Sequence, residues 1–451
     1  MTATLWLGLL LQVTSVAILF VAFRRSTFRR IGPYFVLSAF VYHGLTEIVQ
    51  RMSGSMSTYR AYTSTAQIDS WTVAAGWAML AFSAAYITAA LILPRKTPNV
   101  QTAADVDRVV SVLDWRILAV LCVPLIAVVG TNSIDQQSGS SPTPPSALAG
   151  IAIQFLTFAL ALATISYVVQ HKGRSLLPLI VQLGVTALIG SRLEVVTAAA
   201  TTLFGLAILR RSPTWRQLAT TAVIISALAV SISASRAHVG RTQFTTANVT
   251  GRMKLLATGA IDTTEGTPAL YQGEQNPFGE RLDGNSFPAA VLAAERAGTP
   301  PVHLTTVRND LLLAVPSFIN PAKLSTDLES RSEKAYLNDH FGVGINRDFL
   351  PTQLGTMLGY FGPTGLMFLS AMLGAFVGAA ERVFGSRLSP ARLVLTLALF
   401  VCVIRYESDM GTWLLEFRGA LAVVAVVFLA DWLRHRPDRR TSQPAHISVN
   451  S

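Results

Sequence analysis

The sequence predicts an all-α polytopic membrane protein, with about eleven transmembrane helices and a large, partly helical extracytoplasmic loop. Three observations predict it. Hydrophobic residues are 51% of the 451-residue chain, charged residues only 14%, and mean hydropathy is +0.46. A soluble chain carries about 25% charged residues, so the charge is too sparse to solvate the globular domains this length would otherwise fill. Apolar runs recur near the ~20 residues that a helix needs to cross a bilayer. Finally, most of the 36 Lys and Arg lie in loops between those runs.

The same numbers exclude disorder, a collagen-like chain and a disulfide scaffold, the last because there are only 2 cysteines, Cys122 and Cys402, both in apolar runs. A net charge of +11 would suit nucleic acid if it formed one basic face, but here it is divided among loops.

In order, the apolar runs cover residues 5–23, 31–49, 71–93, 115–130, 147–169, 176–190, 195–209, 218–233, 357–380, 393–404 and 419–433. The sixth, seventh and tenth are short. The ninth contains Gly362-Pro363, which predicts a break or a late start. The first is followed by Arg24-Arg25, not by a small-residue cleavage site, so it is expected to be a retained span and not a signal peptide.

Orientation follows from the Lys/Arg bias of short loops. Arg24, Arg25, Arg29 and Arg30, then Arg95, Lys96 and Arg108, then Lys172 and Arg174 fall on one side. Arg210, Arg211, Arg216, Arg382, Arg387, Arg392 and the Arg434–Arg440 tail fall on the same side. That side is expected to be the cytoplasm of a plasma membrane protein, with the N-terminus outside and the C-terminus inside. The organisation is then a membrane bundle over 1–235 (spans one to eight), an extracytoplasmic loop over 236–350, spans nine to eleven over 351–433, and a basic cytoplasmic tail over 434–451.

The segment 236–350 is near charge balance, with 11 Lys/Arg against 12 Asp/Glu. Loops beyond about 15 residues are usually functional or carry their own structure. Thr326-Asp327-Leu328-Glu329 is a capping box for a helix running to about His340 and stopping at Gly342. Ser286 is placed to cap a helix ended by Gly298 and Pro300. Thr305 is placed to cap one ended by Pro316, whose Leu311–Val315 run suits the bilayer surface.

Familiar chemical motifs are absent: there is no phosphate-loop GxxxxGK[ST], no GxGxxG, no HExxH and no CxxC, and the 7 histidines are scattered. Asp105-Val106-Asp107 has the form of a metal-binding DxD, but a solvated cytoplasmic loop accounts for it. No metal or cofactor is expected. Polar residues at membrane depth are functional candidates by default. His43 and Glu47 lie one helical turn apart in the outer half of the second span and are placed to pair. Arg192 and Glu194 stand where the sixth and seventh spans meet outside. Arg236 and Arg241 open the large segment, and Arg405, Glu407, Asp409, Glu416 and Arg418 mark the last outside turn. Outside arginines run against the positive-inside bias, and their guanidinium forks suit an anionic diphosphate.

Three stretches resemble the Wzy-type oligosaccharide repeat-unit polymerases, or O-antigen polymerases. Gly190-Ser191-Arg192 is similar to that family's Gly-Ser-Arg helix start. Glu280-Arg281-Leu282-Asp283-Gly284, the Leu311–Val315 run and Pro316 through Pro321-Ala322-Lys323 resemble its large-loop pattern. Residues 351–365, including Gly359-Tyr360-Phe361-Gly362-Pro363, resemble its return into the membrane. The likeness covers about residues 190–380; ahead of it only hydropathy agrees. The family often has Arg just after the loop proline, where this chain has Ser317.

The resemblance implies a metal-independent membrane glycosyltransferase at the outer face of the plasma membrane. A polyprenyl-diphosphate glycan would be the donor and a lipid-linked repeat unit the acceptor. Substrate binding would fall to Arg192, Arg281 and Lys323 of the resembling stretches, with the outside arginines Arg236 and Arg405, and catalysis to Asp283 of the same stretches and His340 of the large segment. His303, Asp339, His43 and Glu47 are further bases within reach of the outer face. The alternative for Asp283 is a turn role, since Asp-Gly is a strong turn signal. Expected partners are membrane lipid and other polysaccharide-assembly proteins, a flippase and a chain-length regulator, and no nucleic acid. The rival functions are a transporter or flippase for a lipid-linked or anionic solute, and a glycan ligase.

Overall fold

The computed structural model describes residues 2–24, 26–54, 63–92, 103–116, 118, 122, 144–171, 177–189, 192–209, 219–228, 231–232, 251, 253–254, 283–303, 308, 311–312, 315, 333–343, 352–385, 389–408 and 410–434. Among them there are helices and no strand. Helix α1 spans Ala3–Ala22, α2 Ile31–Phe40, α3 Thr46–Ser53, α4 Thr65–Ile92, α5 Ala103–Val112, α6 Pro144–Gln170 and α7 Leu177–Ile189. Then come α8 (Arg192–Ile208), α9 (Ala219–Leu228), α10 (Ser286–Arg296), α11 (Glu333–His340), α12 (Gln353–Gly385), α13 (Pro390–Ile404) and α14 (Met410–Arg434).

The chain is an all-α membrane protein. By length and composition α1, α4 and α12 can each cross a bilayer, and shorter apolar helices accompany them. The surfaces of these helices are apolar: Trp6, Leu10 and Val21 on α1, Phe368 and Phe376 on α12, and Leu421 and Phe428 on α14 are all exposed. Water would not tolerate so much contiguous apolar surface, whereas lipid does.

The core joins α1, α4 and α12. Gly8 and Gly76 let α1 lie against α4: a Cβ on Gly8 would come within 2.7 Å of the Thr72 backbone. Gly374 and Gly378 do the same for α12, facing the carbonyls of Phe82 and Tyr86. Small residues four apart on one face are how helices pack closely where no hydrophobic effect drives them together. Aromatic stacks fill the remaining space, Phe35 on Phe82 at 4.1 Å and Phe204 on Phe400 at 4.1 Å.

Contacts at both ends show that α1, α4 and α12 run in the same direction. At one end, here called upper, Thr2 donates to Asp69 and the backbone of Gln353 bonds to Tyr406. At the lower end Glu381 receives Arg30, the Ile31 amide and the Tyr86 hydroxyl, and Arg382 reaches the Ala90 carbonyl. This shared polarity is what the span count requires of its first, third and ninth members, since an odd number of crossings must separate α4 from α12.

Some expectations shift. Helix α14 begins at Met410, well ahead of residue 419, so Arg418 lies inside a helix and not in a turn. Hydropathy marks where lipid begins, whereas the backbone keeps its helical bonds beyond it. Asp107 sits exposed on helix α5, so the DxD triplet lies on a helix and not in a loop. The expected stop at Gly342 is present, with φ 60°, after α11. The capping box at Thr326, the Thr305 cap and most of the fourth run lie outside the described residues.

One consequence is testable. Gly374→Leu is expected to cost more than the ~1–3 kcal/mol of ordinary overpacking. The obstacle is backbone, with the Phe82 carbonyl 2.2 Å from the new Cβ. Gly184→Ala is the control: it meets nothing within 4 Å and should stabilise slightly. Thermal unfolding in detergent compares them, and equal melting of Gly374→Leu and wild type would contradict the close α4–α12 approach.

Candidate functional site

The upper end gathers polar side chains from seven places in the chain: 2, 42–51, 69–71, 194, 283–286, 353 and 405–407. The helix of α2 and α3 is continuous but contains a π turn, Val41–Leu45, which holds His43. A π turn inserts one extra residue, rotates the side chains that follow, and is frequent at functional sites. His43 is fully buried, with Nδ1 2.9 Å from Asn285 Oδ1 and Nε2 2.8 Å from the Tyr406 hydroxyl.

The Asn285 amide donates from Nδ2 to the His43 carbonyl at 3.1 Å and to Glu47 at 3.3 Å, so its oxygen must face the imidazole. Nδ1 faces both this oxygen and the indole N–H of Trp71, and Nε2 faces the Tyr406 hydroxyl. Burial pushes the Tyr406 phenol well above its ordinary value, so it stays a donor. The Trp71 indole covers the same face, its N–H 3.3 Å from Nδ1.

Glu47 does not pair with His43. Both instead hold Asn285, and Glu47 accepts from Arg51 Nε at 2.5 Å. Arg51 also binds Asp69, which receives the Thr2 hydroxyl. One guanidinium thus joins two buried carboxylates from different helices. Beside this lie Tyr42, donating to Glu407 at 3.1 Å, and Arg405, paired with Glu194 at the start of α8. Gln353 fixes the entry to α12 by donating to the carbonyls of Cys402 and Arg405.

Asp283 is buried at this junction, and its carboxylate serves its own turn. Oδ1 accepts from the amides of Asn285 and Ser286, and Oδ2 from the Ser286 hydroxyl at 2.6 Å. Ser286 is the first helical residue, and the cap expected of it is made by Asp283. This is helix-capping geometry, and it delivers Asn285 to His43. Asp283→Asn should therefore keep activity and stability, and Asp283→Ala should lose about 1–2 kcal/mol of stability. A base would behave otherwise: the Asn variant would slow by roughly 10²–10⁴ with the fold intact. Melting and turnover of both variants decide between them.

Of the other expected site residues, Arg405 is buried within the cluster. His340 stands apart from it, its Nε2 2.7 Å from the Pro300 carbonyl and its ring stacked on Tyr336. Arg192 is the first residue of α8, next to the Glu194–Arg405 pair in sequence. Arg236, Arg281, Lys323 and Arg241 lie outside the described residues. Among the described residues no group of acids, histidines and cysteines could hold a metal. Sequence reasoning missed Asn285, Tyr406, Trp71 and Arg51. Only Arg51 carried a signal, an arginine four residues after Glu47 at the upper end of its helix.

The chain matches no family model, no curated protein and no solved structure.

Proposed function

We propose that this protein polymerises polyprenyl-diphosphate-linked oligosaccharide repeat units at the outer face of the plasma membrane, the upper end being outermost and about eleven spans forming the body. One observation carries it: two stretches far apart in the sequence that resemble the polymerases, 280–284 and 351–365, touch at one end of the bundle, and the helix that Arg192 opens reaches the same end through Glu194. Gly284 lies against Thr352, a Cβ there reaching its methyl at 3.0 Å. Gln353 holds the carbonyl of Arg405, and Arg405 pairs with Glu194, two residues beyond Arg192.

In the reaction, a hydroxyl of the lipid-linked acceptor attacks the anomeric carbon of the donor glycan. The carbon–oxygen bond to the diphosphate breaks, polyprenyl diphosphate leaves with the electron pair, and the proton of the attacking hydroxyl ends on the departing diphosphate. Charge develops on the leaving diphosphate, and arginines placed there stabilise it most in the transition state. Arg192, Arg236, Arg281 and Arg405, with Lys323, are assigned that role. The polar cluster at the upper end supplies rigidity, with His43, Asn285 and Glu47 holding the large segment to the membrane helices.

Purified protein given a lipid-linked repeat unit should yield longer glycans; unchanged substrate would argue against a polymerase. The rival transporter reading is favoured by one observation, the break in α12 at Gly362, because broken helices line many transport sites. Transport of labelled substrate into vesicles without chain growth would select it. Transfer of a finished glycan to another acceptor would select a ligase. Orientation is checked separately. Ser330→Cys should react with an impermeant thiol reagent in intact cells, and reaction only after lysis would reverse the orientation.

A further inference from the structure

Helix α12 is not continuous. Gly362 has φ 67° and ψ −173°, and Pro363 follows it. Proline offers no N–H to the carbonyl four residues back, which is that of Gly359. Another segment supplies the donor: the Val302 amide bonds the Gly359 carbonyl at 3.0 Å, and the His303 amide bonds that of Tyr360 at 2.8 Å. His303 takes a positive φ of 57° to do so. The upper half of the helix therefore ends in a cap built by the large outer segment.

Glu295, near the end of α10, points at this break. Its carboxylate oxygens lie 3.7 and 3.8 Å from where a Gly362 side chain would begin. Both are shielded from water, and neither has a hydrogen-bond partner among the described residues. A bare carboxylate in that position is costly, while a protonated carboxyl is far less so.

We propose that Glu295 and the Gly362–Pro363 break form a proton-binding site, in which the protonated carboxyl docks α10 against the joint and loss of the proton loosens the two halves of α12. Burial pushes the carboxyl up from 4.5 to about 7. A raised acid favours the docked state fully below its ordinary value. Docking then weakens tenfold per pH unit between 4.5 and about 7, and levels off above that. The whole span is a change of up to ~300-fold.

The surrounding charges leave Glu295 as the titrating group. From α12, the stretch 353–366 carries no acid or base but the Tyr360 phenol. From α4, Asp69 is taken by Arg51 and Thr2. On α10 itself Arg296 is exposed and lines an open groove with Thr4, Leu7 and Ser70. His303 lies beyond the Phe361 ring, their centroids 6.5 Å apart, and His340 is bonded to the Pro300 carbonyl. The site does not depend on which reaction the upper end performs.

The test uses the full chain in lipid nanodiscs, without substrate. Infrared spectroscopy should show a carboxylic C=O band that disappears with a midpoint near pH 7 in wild type and is missing in Glu295→Gln. Hydrogen exchange of amides in 357–368, corrected for the intrinsic rate, should rise up to ~300-fold from pH 4.5 to 8 in wild type. It should stay flat in Glu295→Gln, which is neutral at every pH. A wild-type band titrating at the ordinary carboxylate value would overturn the proposal, as would the same exchange profile in both proteins. If Glu295→Gln does not insert, the wild-type midpoint alone decides.

Discussion

Replacing Arg51 with alanine is expected to cost about 3–5 kcal/mol of stability, because it leaves two buried carboxylates without their cation. Glu47 is fully buried and the Asp69 side chain is only 4% exposed, so water cannot take the guanidinium's place. Arg51→Lys should recover part of the loss, since one ammonium keeps the charge but not the fork that reaches two acids on different helices. The informative companion is Arg51→Met with Glu47→Gln and Asp69→Asn. It removes every charge at once and should melt close to wild type, because a buried ion pair is worth little against neutral groups of similar volume. Melting in detergent provides the comparison. If Arg51→Ala stays within about 0.5 kcal/mol of wild type, the triad is solvated and the upper end is looser than described.

That triad marks the limit of what sequence shows. The apolar runs predicted most helices to within a few residues, because lipid imposes a length and a composition on each span. Gly362-Pro363 predicted the break in α12, since proline's missing donor is a property of the residue itself. Asn285, Tyr406 and Trp71 were not legible. They are uncharged, they stand in no recurring pattern, and they matter only because folding brings them to His43. Glu295 was equally silent: one glutamate on a short amphipathic helix looks solvated until the break in another helix is placed against it. His43 and Glu47 were singled out as polar residues of the second apolar run, and both are buried, but their spacing suggested that they pair with each other. The π turn at Val41–Leu45 changes the geometry between them, and both turn to the asparagine brought by the large segment.

If the protein polymerises glycans as proposed, alanine at Arg192, Arg236 or Arg281 should slow glycan transfer by roughly 10²–10³, or about 2.7–4 kcal/mol, at unchanged protein level. The size follows from where the charge forms. A contact made equally to bound donor and to transition state lowers KM alone, whereas an arginine on the departing diphosphate strengthens as the glycosidic bond breaks and so acts on kcat. Lysine in place of each should restore only part of the rate, keeping the charge but losing two-point contact with phosphate oxygens. Arg405 should behave differently. It is paired with Glu194 inside the protein, so Arg405→Ala takes the arginine from that carboxylate and should lower stability along with rate. Turnover and melting measured together separate the two kinds of arginine. If alanine at Arg192, Arg236 and Arg281 leaves polymer length and rate unchanged in proteins that insert normally, the diphosphate is held elsewhere. The Arg405–Glu194 pair would then be the first place to look, because a departing anion could draw that arginine away from its carboxylate.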